Sequence, residues 1–229
     1  MKISIIIPCF NEEKTIALVI NNILSSYTGE KEIIIIDDCS NDKTREILNS
    51  DLKNKIDKII LNDKNYGKGF SIRKGINIAE GDIILIQDAD LEYDPSDYNK
   101  LIKPIEKGVA DVVYGSRFLG GEEKRVLYFW HTLGNKFLTT LSNMFSNLNL
   151  TDMEVGYKLF KSDVIKDIKL LEDRFGFEPE VTAKIAKKKI RIFEVGISYY
   201  GRKYEDGKKI TWKDGISALR CIVKYNLFD

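Results

Sequence analysis

Two carboxylates one residue apart, Asp88 and Asp90, follow the apolar run Ile83–Ile86 and Gln87. Ionised and close together at a strand end, they repel unless a cation sits between or beside them. A hard divalent ion bridging such oxygens to a diphosphate would relieve the repulsion and act as a Lewis acid on a departing nucleoside diphosphate. The plainer role for an acidic turn is to cap the next helix. Asp37 and Asp38 form a second acidic pair, after Ile33–Ile36. Asp38 could accept from a base N–H, while Ser40, Asn41 and Asp42 form a helix-capping cluster. In Asn65-Tyr66-Gly67-Lys68-Gly69, two glycines open a predicted helix and Lys68 could meet a phosphate, yet GxxxxGK[ST] is absent. A turn before a helix explains it equally well.

The elements that must hold these groups alternate in type. Short β-branched runs at Ile3–Ile7, Ile33–Ile36, Ile59–Leu61, Ile83–Ile86 and Val112–Tyr114 are separated by helix-period segments near 13–26, 41–52, 68–79 and 95–107. Strands apolar on both faces and spaced by helices predict an α/β fold with a mostly parallel sheet covered on both sides. Ligands in such sheets sit at the carboxyl ends of the strands. There the Pro8–Glu12 turn, Asp37-Asp38 and Asp88-Ala89-Asp90 should converge. Further on, 126–148 predicts a long helix or a broken pair, read as core because such aromatic stretches usually are. A helix near 178–188, short strands near 190–200 and an amphipathic helix around 211–226 follow. That last pattern suits either core packing or a membrane surface. The Gly115–Lys124 loop is the expected internal hinge, and His131 is expected to be packed rather than catalytic.

Composition narrows the function classes. With 229 residues there is room for one sizeable core. The 36 basic and 35 acidic residues nearly cancel, which argues against a nucleic-acid partner. Cys9, Cys39 and Cys221 are odd in number and lack CxxC spacing, so a reducing cytosol is expected. No stretch approaches the roughly 20 apolar residues that span a bilayer, so any membrane contact is expected to be peripheral or through a partner protein. The one local basic patch, Tyr200–Lys209, is either a solvated loop or a cover for a diphosphate.

Five segments in order, IIIPCFNEE, IIIIDDCSNDKT, NYGKGFSIRKGI, GDIILIQDADLEYDP and VVYGSRF, resemble the family 2 glycosyltransferases of the GT-A fold, and among them the dolichol- and polyprenol-phosphate mannose and glucose synthases. The resemblance is strong over 1–120, implying a nucleotide-sugar-binding half, and looser over 121–229, implying an acceptor-side half of one domain. It implies nucleotide-sugar contacts at Pro8, Phe10, Glu12, Ile36, Asp38, Asp88 and Ala89, and a Mg²⁺ or Mn²⁺ site at Asp88, Asp90 and Glu92. Phosphate contacts are implied at Arg117, Arg202 and Lys208, beside the Lys68 contact considered above. The reaction implied is inverting transfer of a hexose from a GDP- or UDP-sugar to a polyprenol phosphate at the cytoplasmic face of a membrane. Asp90 and Arg117 would then be catalytic. An acceptor that is instead a sugar hydroxyl needs a base, for which Asp152 and Glu154 are the candidates.

Two departures bear on the acceptor. Where related synthases carry an Arg in a Ser-Arg-Gly-Ala-Asn-like segment, this chain has His131–Asn135, leaving Arg117, Arg125 or lysines to meet an acceptor phosphate. The family's Asp-x-x-Ser-Gly-Phe-Arg becomes Asp152–Lys158, with Lys158 in the phosphate-binding Arg position. Two rivals stand beside this reading. A nucleotidyltransferase would carry a basic Gly-rich N-terminal loop where this chain has PCFNEE, and a non-catalytic nucleotide-sugar-binding subunit would not need to keep the DxD.

Overall fold

The structure, a computed structural model, describes residues 1–121, 123–188, 190–202 and 212–228. Seven strands form one sheet: β1 (Ile3–Cys9), β2 (Lys31–Asp37), β3 (Lys58–Leu61), β4 (Ile83–Ile86), β5 (Val112–Ser116), β6 (Lys158–Lys161) and β7 (Ile192–Gly196). Their spatial order is β3-β2-β1-β4-β6-β5-β7. The ladders make β6 antiparallel to both neighbours, while every other pairing is parallel. The isoleucines of β1, β2 and β4 are buried whichever face they point to, as a sheet covered on both sides requires.

The covering helices are α1 (Ile16–Ser26), α2 (Thr44–Asn49), α3 (Lys68–Ile78) and α4 (Tyr98–Glu106), then α5 (Phe129–Ser146), α6 (Ser162–Lys166), α7 (Phe177–Ala186) and α8 (Trp212–Leu227). α5 is a single helix, ended by Asn147 in the left-handed conformation at φ 53°. The core expectation for 126–148 holds only for its leucines, Leu127, Leu138, Leu141 and Leu148, which pack partly buried against the core. Among the described residues of α5 only Thr139 and Ser142 are buried, and they present small polar side chains to the domain. The aromatic residues point outward instead. Thr139 Oγ1 accepts from Met153 N at 3.2 Å, so α5 docks through this hydrogen bond as well as through Leu138 and Leu141.

Strand order reverses around β1, whose neighbours are β2 on one side and β4 on the other. The β4 ladder stops at the Ile6–Ile86 pair, whereas the β2 ladder continues through Cys9–Asp37. Pro8 therefore lies past the last β4 rung, where its missing N–H costs little. Beyond that point β1 and β4 part and leave a crevice at their carboxyl ends.

Candidate active site

The turns on this crevice are strained. Among the described residues, the non-glycine positions with positive φ are Asn11, Cys39, Leu91 and Asn147. The first three follow β1, β2 and β4 respectively. Such backbone persists only where surrounding bonds hold it, and it gathers at functional sites. Here the bonds are explicit. Asn11 N donates to Ser40 Oγ at 2.9 Å, Asn41 N to Asn11 Oδ1 at 2.7 Å, and Glu12 N to Thr44 Oγ1 at 2.9 Å. The turns after β1 and β2 thus lock together.

The second acidic pair is structural. Asp37 is fully buried and ion-pairs with Arg45 at 2.5 Å. Asp38 accepts from Asn62 Nδ2 and Tyr66 N at 2.9 Å each and from Gly67 N at 2.6 Å. Its carboxylate pins the turn that starts α3, a backbone-holding role that stands beside the expected contact with a base. Gly67 has φ 108°, which a side chain would strain, and a Cβ there would lie 2.4 Å from Asp173 O. The Ile36 side chain, also expected at the base, is wholly in the core. Only its backbone could face a ligand.

The Asp88-Ala89-Asp90 turn is held from below by Gln87, whose Oε1 accepts from Tyr98 and Tyr157 hydroxyls at 2.7 and 2.5 Å. Its Nε2 donates to Asp88 O at 2.9 Å. Lys68 lies 2.8 Å from Asp88 Oδ1 and 3.1 Å from Glu178 Oε1. Burial works to lower the Lys68 pKa, but Asp88 and Glu178 outweigh it and hold the ammonium above its ordinary value. Lys68 is thus tied to carboxylates in this state rather than free for a phosphate.

Arg202 reaches Asp90 Oδ2 at 2.9 Å and both Glu12 oxygens at 3.3 and 3.4 Å. Its backbone N donates to Glu92 Oε1 at 2.7 Å, and Tyr199 donates to Glu92 Oε2 at 2.8 Å. Burial, then repulsion from Asp88 and Glu92, pushes the Asp90 carboxyl up to about 7, with Arg202 pulling the other way. Among the described residues no group of three or more His, Cys, Asp or Glu is arranged to hold a metal ion. The expected triad of Asp88, Asp90 and Glu92 is instead shared out among basic and hydroxyl partners of the chain, because repelling carboxylates take whatever positive charge is in reach. Their chemistry nevertheless suits a hard divalent ion. The donors are all oxygen, and the repulsion that raises the Asp90 pKa is what a cation would relieve.

Arg117 and Asp152 make a buried two-pronged pair, Nε–Oδ2 at 2.6 Å and Nη2–Oδ1 at 2.7 Å. Arg117 N and Asn135 Nδ2 also donate to Asp152, at 3.1 and 3.2 Å. Burial opposes the charge on Arg117, and Asp152 outweighs it. Asp152 is therefore committed to positioning Arg117 and is not a free base. Lys158, expected at a phosphate, is fully buried. Its Nζ donates to the Met153 and Val155 carbonyls and lies 4.9 Å from the Tyr114 ring centroid. Burial lowers its pKa. A lysine in a β-strand interior keeps its charge only by finding such partners. Arg125 donates to Gly201 O, and Lys124 bridges to Tyr199, so 123–125 holds the segment carrying Arg202.

Beside that latch runs a row of outward apolar groups: Val126, Tyr128, Phe129, Trp130, Leu133 and Phe137, with Trp130 77% and Phe129 70% exposed. α8 buries Ala218, Cys221, Ile222 and Tyr225 while leaving Ile216, Leu227 and Phe228 exposed. The core-packing alternative for its amphipathic pattern thus holds on one face, and the opposite face is left uncovered. No helix of the described residues is long and apolar enough to cross a membrane.

The model of Glycosyl transferase family 2 matches residues 4–169. The chain belongs to this family. The undecaprenyl-phosphate 4-deoxy-4-formamido-L-arabinose transferase of Photorhabdus laumondii is 29% identical over 213 residues, 90% of this chain and 62% of that protein. The dodecaprenyl-phosphate galacturonate synthase of Rhizobium johnstonii is 24% identical over 211 residues, 89% and 60% of the two chains. The chain therefore spans somewhat under two thirds of the length of these relatives. An uncharacterized protein of Methanocaldococcus jannaschii matches at 27% over 99% of this chain and 93% of its own length. Among solved structures, glucosyl-3-phosphoglycerate synthase of Mycobacterium tuberculosis, with Mn²⁺, UDP and glucosyl-3-phosphoglycerate, superposes with a TM-score of 0.73 at 16% identity, covering 98% of this chain and 80% of that one. The fold is that of the GT-A glycosyltransferases. Crystals of the same enzyme hold Mg²⁺ with UDP.

The structure joins Glu12, Asp90, Glu92 and Arg202 in one cluster of ion pairs and hydrogen bonds and Lys68, Asp88 and Glu178 in a second, with Ala89 buried between the aspartates and Pro8 and Phe10 on the neighbouring turn. Arg117 and Asp152 form a separate pair, and Lys208 lies outside the described residues. Sequence reasoning missed Glu178, which enters from the first turn of α7 to share Lys68 with Asp88. An acidic residue at the N-terminal turn of a helix was the available signal, but it suits capping as well.

Proposed function

We propose that this chain transfers a hexose from a nucleoside diphosphate sugar to the phosphate of a polyprenol, with inversion at the anomeric carbon. An acceptor phosphate oxygen attacks the anomeric carbon as its bond to the diphosphate breaks, and the bonding pair leaves with the nucleoside diphosphate. The attacking oxygen is already anionic, so no proton has to be removed. That suits a site whose Asp152 is occupied by Arg117. Mg²⁺ or Mn²⁺ held by Asp88 and Asp90, with Glu92 nearby, would supply charge stabilisation to the leaving diphosphate. The chain's own part is positioning: Asp152 aims Arg117, Asp38 fixes the start of α3, and Arg202 is released from Asp90 and Glu12 to meet phosphate.

The observation that carries the lipid-linked acceptor is the aromatic row on α5, joined to the Arg202 segment through Arg125 and Gly201. Aromatic side chains flanked by Lys124, Arg125 and Lys136 suit the interface of an anionic membrane, at whose cytoplasmic face we place the enzyme. The names of the two lipid-linked relatives support the same acceptor class. The test is transfer across a panel of UDP- and GDP-sugars, with polyprenyl phosphate in one arm and a water-soluble sugar acceptor in the other. Product in the lipid arm is expected. Product confined to the soluble arm overturns the acceptor while leaving the glycosyl transfer standing.

A further inference from the structure

The Asp152–Gly156 turn carries a group that the proposed reaction leaves unused, the Glu154 carboxyl. Its Oε1 is shut off from solvent and has no hydrogen-bond partner. A buried oxygen left unpaired costs about 1–3 kcal/mol, so a folded chain rarely keeps one without a use. Glu154 as a whole is only half-buried, so the residue lies at the edge of the core rather than deep within it. The turn lies against the DxD: a Cβ on Gly156 would be 2.3 Å from Asp88 Oδ2, and Gly156 N donates to Tyr93 Oη at 2.9 Å.

The charged groups facing Glu154 come from each surrounding element. Glu178 comes from α7, Lys158 from β6, Arg117 from just past β5, and Asp152 from the same turn. Burial first, then Glu178, raises its pKa up to about 8, while Lys158 and Arg117 pull it down less. Both cations are already engaged, Arg117 by Asp152 and Lys158 by backbone carbonyls. A carboxyl in that setting is neutral near pH 7 and both donates and accepts. Its match is a hydroxyl, since an anion placed there would also meet Asp152 and Glu178.

We propose that Glu154 hydrogen-bonds a hydroxyl of the sugar being transferred and thereby helps set which sugar the site accepts. This rests on the glycosyl-transfer reading above. It is tested by calorimetric titration of the full chain at pH 7 with Mn²⁺, comparing UDP with UDP-glucose and UDP-galacturonate, and GDP with GDP-mannose. For the sugar that the wild type binds, Glu154→Ala should shift the ratio of nucleotide to nucleotide-sugar Kd by about five- to tenfold against the sugar. Affinity for the bare nucleotide should stay unchanged, which also reports an intact fold. Glu154→Gln should keep the wild-type ratio, because the amide preserves a neutral donor and acceptor. An unchanged ratio in Glu154→Ala overturns the assignment. So does a Glu154→Gln variant that loses as much as Glu154→Ala, since an ionised carboxylate would then be required. A wild type that binds no nucleotide or nucleotide sugar of the panel is a different failure, that of the glycosyl-transfer reading itself.

Discussion

The carboxyl ends of β1, β2 and β4 and the outer face of α5 solve opposite problems a short distance apart. At the strand ends, charged side chains are drawn inward and each finds a partner: Asp88 with Lys68, Asp90 with Arg202, Asp37 with Arg45. On α5, Phe129 and Trp130 are left outside and the helix is tied down by Thr139 and Asn135. The first region stores electrostatic energy that a charged ligand can redirect. The second leaves apolar area uncovered, which water disfavours and an apolar partner would cover. The difference teaches that a ligand's polarity is written in reverse on its site, as paired charge in one place and unpaired grease in the other.

The largest effect should come from the charged region. Asp90→Asn is expected to lower turnover by about 100- to 1,000-fold, the scale of removing a preorganised electrostatic stabiliser, while circular dichroism and melting stay near wild type. Excess chelator should do the same. Full turnover in chelator would remove the metal from the mechanism.

Next comes the Arg117–Asp152 pair. Arg117→Ala should cost roughly ten- to a hundredfold in turnover. It should also destabilise by about 3–5 kcal/mol, because Asp152 is left buried and unpaired. Arg117→Ala combined with Asp152→Asn should recover much of the stability and none of the activity in denaturant titrations and assays. If activity returns too, Arg117 is structural only.

A smaller effect is expected on the apolar face. Phe129→Glu with Trp130→Glu should weaken co-sedimentation with anionic vesicles by roughly tenfold or more, as apolar area worth about 1.5–3 kcal/mol per ring is lost in part at each site. Nucleotide binding should not change. Equal sedimentation of wild type and variant at low salt would mean that another partner covers this face.

The smallest effect lies far from both regions. Asp111 is held well below the usual carboxylate range, chiefly by Arg191 and then by Lys161, although burial works the other way. A depressed folded-state pKa gives stability that is present above the unfolded value and is lost as pH falls through the folded one. Because Arg191 is 53% exposed, Asp111→Asn should cost only about 0–1 kcal/mol at neutral pH, and the gap from wild type should close in acid melts.

Much of the β1–β4 half was legible because its strands are short, largely apolar and followed at once by polar turns. Four lettered runs of isoleucine and leucine could be little else, and Asp88 and Asp90 could not be core. The backbone-holding role of Asp38 was not legible, because type and place do not tell where a carboxylate points. Its partners are the Asn62 side-chain amide and the Tyr66 and Gly67 backbone amides, brought from 24 to 29 residues away. β6 escaped notice because Lys158 makes a buried strand look polar, and its antiparallel pairing depends on α5 crossing back. The aromatic stretch 126–148 has a composition shared by cores and membrane faces alike. Leu138 and Leu141, packed against the core, and the hydrogen-bonded seat of Thr139 together fix which way the helix turns.

The late insertion of β6 has a consequence for how the molecule is made. β4 ends at Ile86 and β5 at Ser116, yet the strand that joins them begins at Lys158. Until that segment leaves the ribosome, two hydrogen-bonding edges at the middle of the future sheet stand open, and open edges recruit other chains. Residues 1–120 are thus no independent module, because their sheet is completed only by a later segment. Expressed alone they should aggregate, and the nascent chain should depend on holding chaperones until the staple between its halves is driven home.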